Sequence, residues 1–106
     1  MKQYTNERQT AKLIELGVDT PRNFFESLAF ADKSRCAYSI GELIEMLPQE
    51  FRNASNSYLS LSIHTGGLGT WDIRYLGFEA QIRTCEFELI DALFDMVVKL
   101  KEEGVI

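Results

Sequence analysis

Between Tyr58 and Tyr75 apolar and polar residues alternate with a period of two on both sides of a glycine-rich interruption. In the first run Leu59, Leu61 and Ile63 fall on one side, and Tyr58, Ser60, Ser62 and His64 on the other. In the second run Trp71, Ile73 and Tyr75 alternate with Asp72 and Arg74. Successive side chains of a strand point to opposite faces, so this is the pattern of two strands with one buried and one open face. The segment Thr65-Gly66-Gly67-Leu68-Gly69 is the turn between them, with glycine supplying positive φ. A one-residue slip would send every side chain to the wrong face. A five-residue loop over 65–69 predicts Ile63 opposite Trp71, Leu61 opposite Ile73 and Leu59 opposite Tyr75. On the polar face it sets Ser62 opposite Asp72 and Ser60 opposite Arg74. Gly77 permits another turn, and Phe78, Ala80, Ile82 and Thr84 alternate again. The three runs make an antiparallel meander.

The other periodic segments are helical. Ser39 and Glu42 have the spacing of a capping box ahead of Ile40, Leu43, Ile44 and Leu47, and Pro48 closes that helix. Near the start, Asn6 and Gln9 have the same spacing, and Gly17 suits the left-handed residue that ends a helix carrying Leu13, Ile14 and Leu16. In the last segment Phe87, Leu89, Ile90, Leu93, Phe94, Met96, Val97, Val98 and Leu100 cover an arc of roughly 200° at 100° per residue. An arc that wide must bury two sides. One is expected against the sheet and the other against a second copy, with Leu89, Leu93 and Leu100 as interface candidates; the first two helices are the alternative cover. A strand over 23–30 and a return strand at Cys36-Ala37-Tyr38 form an expected hairpin, with a helix over Arg22–Ala31 as the competing reading, and the polar stretch after Pro48 reads as a loop. The order helix, hairpin, helix, meander, helix predicts a single α+β domain spanning residues 1–106, with helices on one face of an antiparallel sheet.

The chain carries 11 basic and 16 acidic residues, net −5. Proteins that hold nucleic acid through its phosphates carry a basic excess, so direct nucleic-acid binding is not expected. Residues 39–50 and 86–103 together hold −7, which leaves +2 on the remainder. Solvated helix faces account for this, and a surface made for a basic partner is the sharper reading. Cys36 and Cys85 are far apart in sequence, and with one His the chain lacks the close ligand pairs of a zinc site. They read as two reduced, buried thiols. No apolar run approaches 18 residues and the N-terminal stretch has no apolar signal core, so a cytoplasmic location away from membranes is expected.

Three segments carry a resemblance: QTAKLIELG, AYSIGELIEMLP and ELIDALFDMVVKLKEEGVI. Together they resemble a group of short uncharacterised proteins of gut bacteria, often encoded among prophage and other mobile-element genes. The Phe24–Arg35 hairpin and the Ser55–Thr84 meander lie outside it. The resemblance implies a small mobile-element accessory protein and carries no catalytic residues across.

The polar sheet face is the place to look for a site. Tyr58, Ser60, Ser62 and His64 lie beside Asp72 and Arg74, which makes them the candidate ligand-binding residues. A Ser62/His64/Asp72 hydrolase is one reading of that face. Serine nucleophiles usually sit on a strained turn beside an oxyanion hole, whereas these serines are mid-strand. A solvated sheet face explains the same pattern. The Gly66-Gly67-Leu68-Gly69 turn lacks the lysine and following helix of a phosphate-binding loop. Tyr38, Tyr58 and Trp71, if exposed together, would make an aromatic platform. No catalytic residues, metal or cofactor are assigned. The expected function is a non-enzymatic interaction protein, acting on a protein partner or on itself. An acidic nucleic-acid mimic that inhibits a basic enzyme is the alternative from another class.

Overall fold

The computed structural model describes residues 2–19, 37–52, 57–77 and 81–106. Among these the elements run α1 (Glu7–Glu15), α2 (Ile40–Met46), β1 (Glu50–Arg52), β2 (Tyr58–Thr65), β3 (Trp71–Leu76), β4 (Gln81–Glu86) and α3 (Leu89–Glu102). The four strands form one antiparallel sheet in the order β1-β2-β3-β4, with the helices on one face. The α+β class read from the sequence is therefore the class of the molecule. The expected hairpin over 23–36 lies outside the described residues. Ala37 and Tyr38 are not strand; Tyr38 is buried, its carbonyl accepts from Thr5, and Ser39 makes an isolated bridge with Tyr4.

Both capping boxes close as their spacing requires. The Asn6 side chain accepts from the Gln9 amide while the Gln9 side chain accepts from the Asn6 amide, at 2.7 and 3.0 Å. Ser39 and Glu42 do the same at 3.1 and 3.2 Å. Each reciprocal pair satisfies two backbone donors that a helix start otherwise leaves open. Gly17 follows α1 at φ +84°, a conformation that penalises any Cβ.

The stretch after Pro48, read as a loop, contains strand β1. Its three residues pair Glu50 with Ser60, Phe51 with Leu59 and Arg52 with Tyr58. Such a short strand has no period-two run of its own, and it is ordered by the long strand beside it. Phe51 packs edge-on to Tyr75 with ring centroids 4.9 Å apart.

Between β2 and β3 the register differs from the sequence reading by two residues. Thr65 faces Trp71, His64 faces Asp72, Ile63 faces Ile73, Ser62 faces Arg74 and Leu61 faces Tyr75. The loop still holds five residues, but they are 66–70. Moving the turn by one residue along the chain moves the register by two, which preserves both faces. Gly66 donates to the Thr70 carbonyl and Gly69 to that of Gly66, and within the loop Gly69 alone takes positive φ. Gly77 is required by close approach instead: a Cβ there would lie 2.6 Å from the Tyr58 carbonyl oxygen.

The core lies between sheet and helices. Leu59, Ile73 and Tyr75 from the sheet meet Leu13 of α1, Leu43 of α2 and Ile90, Leu93, Met96, Val97 and Leu100 of α3, all fully buried. Complete burial of one such side chain contributes about 1.5–3 kcal/mol relative to exposure. Most of the wide arc of α3 is thus used inside one chain, with Phe94 and Val98 half-buried at its margin. Leu89, Leu93 and Leu100, expected at an interface, are buried in the core of the single chain. The sheet takes one side of the arc, and α2 takes much of the other through Leu43 and Leu47. Phe87 is the exception; it precedes the helix and is 75% exposed. Thr84 Oγ1 donates to the Ala92 carbonyl at 2.8 Å and pins α3 to β4.

Candidate functional site

The face of the sheet turned away from the helices is open and polar. Period two puts Tyr58, Ser60, Ser62 and His64 of β2 on it, beside Asp72 and Arg74 of β3. All six candidate residues therefore share one face, as the alternation requires. The observed register brings His64 opposite Asp72 and Ser62 opposite Arg74, one pair along from the expected contacts. The face continues onto β1 through Glu50 and Arg52 and onto β4 through Gln81, Arg83 and Cys85.

Its centre is an acid held between two guanidinium groups. Arg74 and Arg83 are directly opposite on neighbouring strands, an arrangement that is repulsive alone. Asp72 resolves it. Its Oδ1 accepts from Arg83 Nε at 2.9 Å and lies 2.8 Å from Arg83 Nη2, and its Oδ2 accepts from Arg74 Nη2 at 3.5 Å. Asp72 is only 5% exposed although it lies on the open face, because the arginine side chains cover it. The Arg83 hydrogen bond, with help from Cys85 and Arg74, holds the Asp72 carboxyl below the usual carboxylate range against the opposing effect of burial. Arg74 Nε is buried and makes no hydrogen bond.

Ser62 Oγ and His64 Nε2 are hydrogen-bonded to each other. A serine–histidine pair can share a proton, but acyl transfer also needs the imidazole oriented and an oxyanion held. Asp72 faces His64, yet its hydrogen bonds run to Arg83 and Arg74. Ser62 lies within a central strand, where backbone N–H groups serve the ladder. At the far end, Arg52 stacks over the Tyr58 ring, 5.7 Å from its centroid. A hydrogen bond to Glu50 raises the Tyr58 hydroxyl above its ordinary value. The aromatic platform is not formed: Tyr38 is fully buried and Trp71 half-buried, while Tyr58 is exposed. Cys85 is exposed rather than buried, and Cys36 lies outside the described residues.

Neither Arg83 nor Cys85 was among the candidate residues of the polar face. The signal was present, since continuing the meander's alternation through its third strand puts both on the polar face. Among the described residues no group of three His, Cys, Asp or Glu side chains could hold a metal ion. Nor is any helix of those residues long and apolar enough to cross a membrane. Comparison with protein-family models, curated proteins and solved structures finds no match.

Proposed function

We propose that the chain is a small non-enzymatic interaction protein that docks a protein partner on its open sheet face. One observation carries this reading. Arg74 and Arg83 are fixed side by side on adjacent strands by a single covered carboxylate, on the open face of the sheet. Two pre-oriented guanidinium forks suit carboxylates presented by another protein, because little side-chain entropy remains to be lost on binding. Hydroxyl groups of Ser60 and Ser62, the His64 imidazole and the Tyr58 phenol supply further hydrogen bonds around them. No cofactor is invoked. The resemblance of residues 9–17, 37–48 and 88–106 to short gut-bacterial proteins supports a mobile-element accessory role, in the cytoplasm.

Capture on the immobilised chain from a lysate of the encoding organism tests the reading. The partner retained by the wild-type chain should be lost with the Arg74→Glu/Arg83→Glu variant and kept with Glu102→Ala, an exposed position on α3 away from this face. Equal capture by a folded double variant would overturn it.

The hydrolase reading rests on the Ser62–His64 hydrogen bond alone. It requires ester hydrolysis that Ser62→Ala abolishes. The acidic-mimic reading draws support from the packing of α2 against α3, the two helices that hold most of the acidic excess. Part of that charge is already spent, since Asp91 accepts from Lys2 Nζ at 3.2 Å and from Gln9 Nε2 at 2.7 Å.

A further inference from the structure

Among the described residues β4 is an edge strand, paired with β3 on one side only. Between it and α3 runs a groove of about 380 Å³, formed by residues 83–86 and by Phe94, Asp95, Val98 and Lys99. Phe94 and Val98 are half-buried there, and Phe87 beyond the strand is 75% exposed. Lys99 Nζ donates to the Arg83 carbonyl at 3.2 Å.

We infer that β4 pairs antiparallel with β4 of a second copy, while the Phe94–Lys99 strips of the two α3 helices meet beneath the joined sheets. This surface shares Arg83 and Cys85 with the polar face, but the inference rests on the strand edge and the α3 strip and not on the reading above. A second copy is the occupant because the groove is self-complementary about its own centre. Keeping inward side chains inward allows only registers in which residues of like parity pair. Setting Arg83 opposite Arg83 is repulsive. The neighbouring register sets Thr84 opposite Thr84, Arg83 opposite Cys85 and Ile82 opposite Glu86, without a like-charge pair. It also brings the exposed Phe87 ring alongside Gln81 of the other strand.

The same two-fold axis passes α3 between Asp95 and Lys99, one helical turn apart, because those residues line the groove beside residues 83–86. Antiparallel pairing then brings Asp95 of each copy to Lys99 of the other. Lys99 exchanges the Arg83 carbonyl for that carboxylate, and a backbone N–H of the second copy takes over the carbonyl. In the single chain burial, then the hydrogen-bonded Glu86 and the nearby Asp91, push the Asp95 carboxyl up to about 6 despite Lys99. Two-fold pairs are also the commonest closed assembly.

Light scattering during size exclusion, at micromolar to tens of micromolar concentration, should give twice the chain mass. Asp95→Lys and Lys99→Asp should each weaken association by about tenfold or more, since each sets like charges across the axis. The Asp95→Lys/Lys99→Asp double variant should restore it, because the swapped charges again meet their opposites. A wild-type chain that stays monomeric throughout overturns the proposal. So does a dimer indifferent to both single substitutions, or one that Lys99→Asp strengthens, which would make Lys99 a guard against edge pairing. Circular dichroism of each variant separates lost association from lost folding. None of these outcomes bears on partner capture by Arg74 and Arg83.

Discussion

Arg83 reaches across from β4 and takes the Asp72 carboxylate at 2.8 Å, although the residues directly opposite Asp72 are His64 on β2 and Cys85 on β4. The forked guanidinium offers donors from two nitrogens to a single oxygen, and it stays charged at every physiological pH. Arg83→Ala removes the principal cause of the depressed Asp72 pKa. The Asp72 carboxyl is then expected to titrate nearer the ordinary aspartate range, followed by its carboxyl carbon shift in NMR. An unchanged midpoint would mean that Arg74 and Cys85 suffice.

The depressed pKa also sets a pH dependence. A carboxyl whose folded pKa lies below its unfolded value stabilises the fold above the unfolded value, and that contribution is lost as pH falls through the folded one. Asp72→Asn should therefore flatten the acid limb of the stability curve. Urea titrations from neutral pH down to about pH 3 would display it, with the variant losing less stability than the wild type across that range.

Asp95 has the opposite sign. Its carboxyl is pushed up to about 6, so its contribution to stability is complete below the unfolded aspartate value and is lost as pH rises through about 6. The groups around it are Glu86 and Arg83 of β4 and Asp91 and Lys99 of its own helix. Asp95→Asn preserves the neutral shape. In the isolated chain it should add on the order of 1 kcal/mol near pH 7.5, after screening at a partly exposed site, and nothing near pH 4. Trp71 fluorescence permits the measurement at sub-micromolar concentration, where self-association does not interfere.

Leu93 sits at the centre of the core with no exposed surface. Leu93→Ala should cost about 2–5 kcal/mol through lost burial and the cavity left behind. The loss should appear in chemical denaturation of the single chain, independent of protein concentration. A concentration-dependent loss would return Leu93 to an interface.

Gly77 lies against β2 so closely that a Cβ would come within 2.6 Å of the Tyr58 carbonyl oxygen and 2.5 Å of Leu59 Cδ2. The leucine tip can move, but the carbonyl belongs to a paired strand. Gly77→Ala is expected to destabilise by about 1–3 kcal/mol, the range typical of overpacking. Gly67→Ala meets nothing within 4 Å and should be near neutral by the same measurement.

Local rules determined what local forces decide in this protein. The two capping boxes involve partners three residues apart, so Asn6/Gln9 and Ser39/Glu42 were legible before any fold was known. The faces of β2 and β3 were legible for the same reason, because the side-chain period of a strand is a backbone property. Tertiary structure decided what depends on distant partners. The register moved by two residues because alternation specifies parity alone, leaving the exact turn to the Gly66–Thr70 hydrogen bond. Strand β1 exists because β2 offers it an edge and Tyr75 offers Phe51 a ring to pack on. Most of the α3 arc is covered within one chain because α2 packs beside it, so Leu89, Leu93 and Leu100 became core. Asp72 turned to Arg83 because a charged fork from a third strand outcompetes the imidazole facing it, a choice no pairwise spacing along the chain encodes.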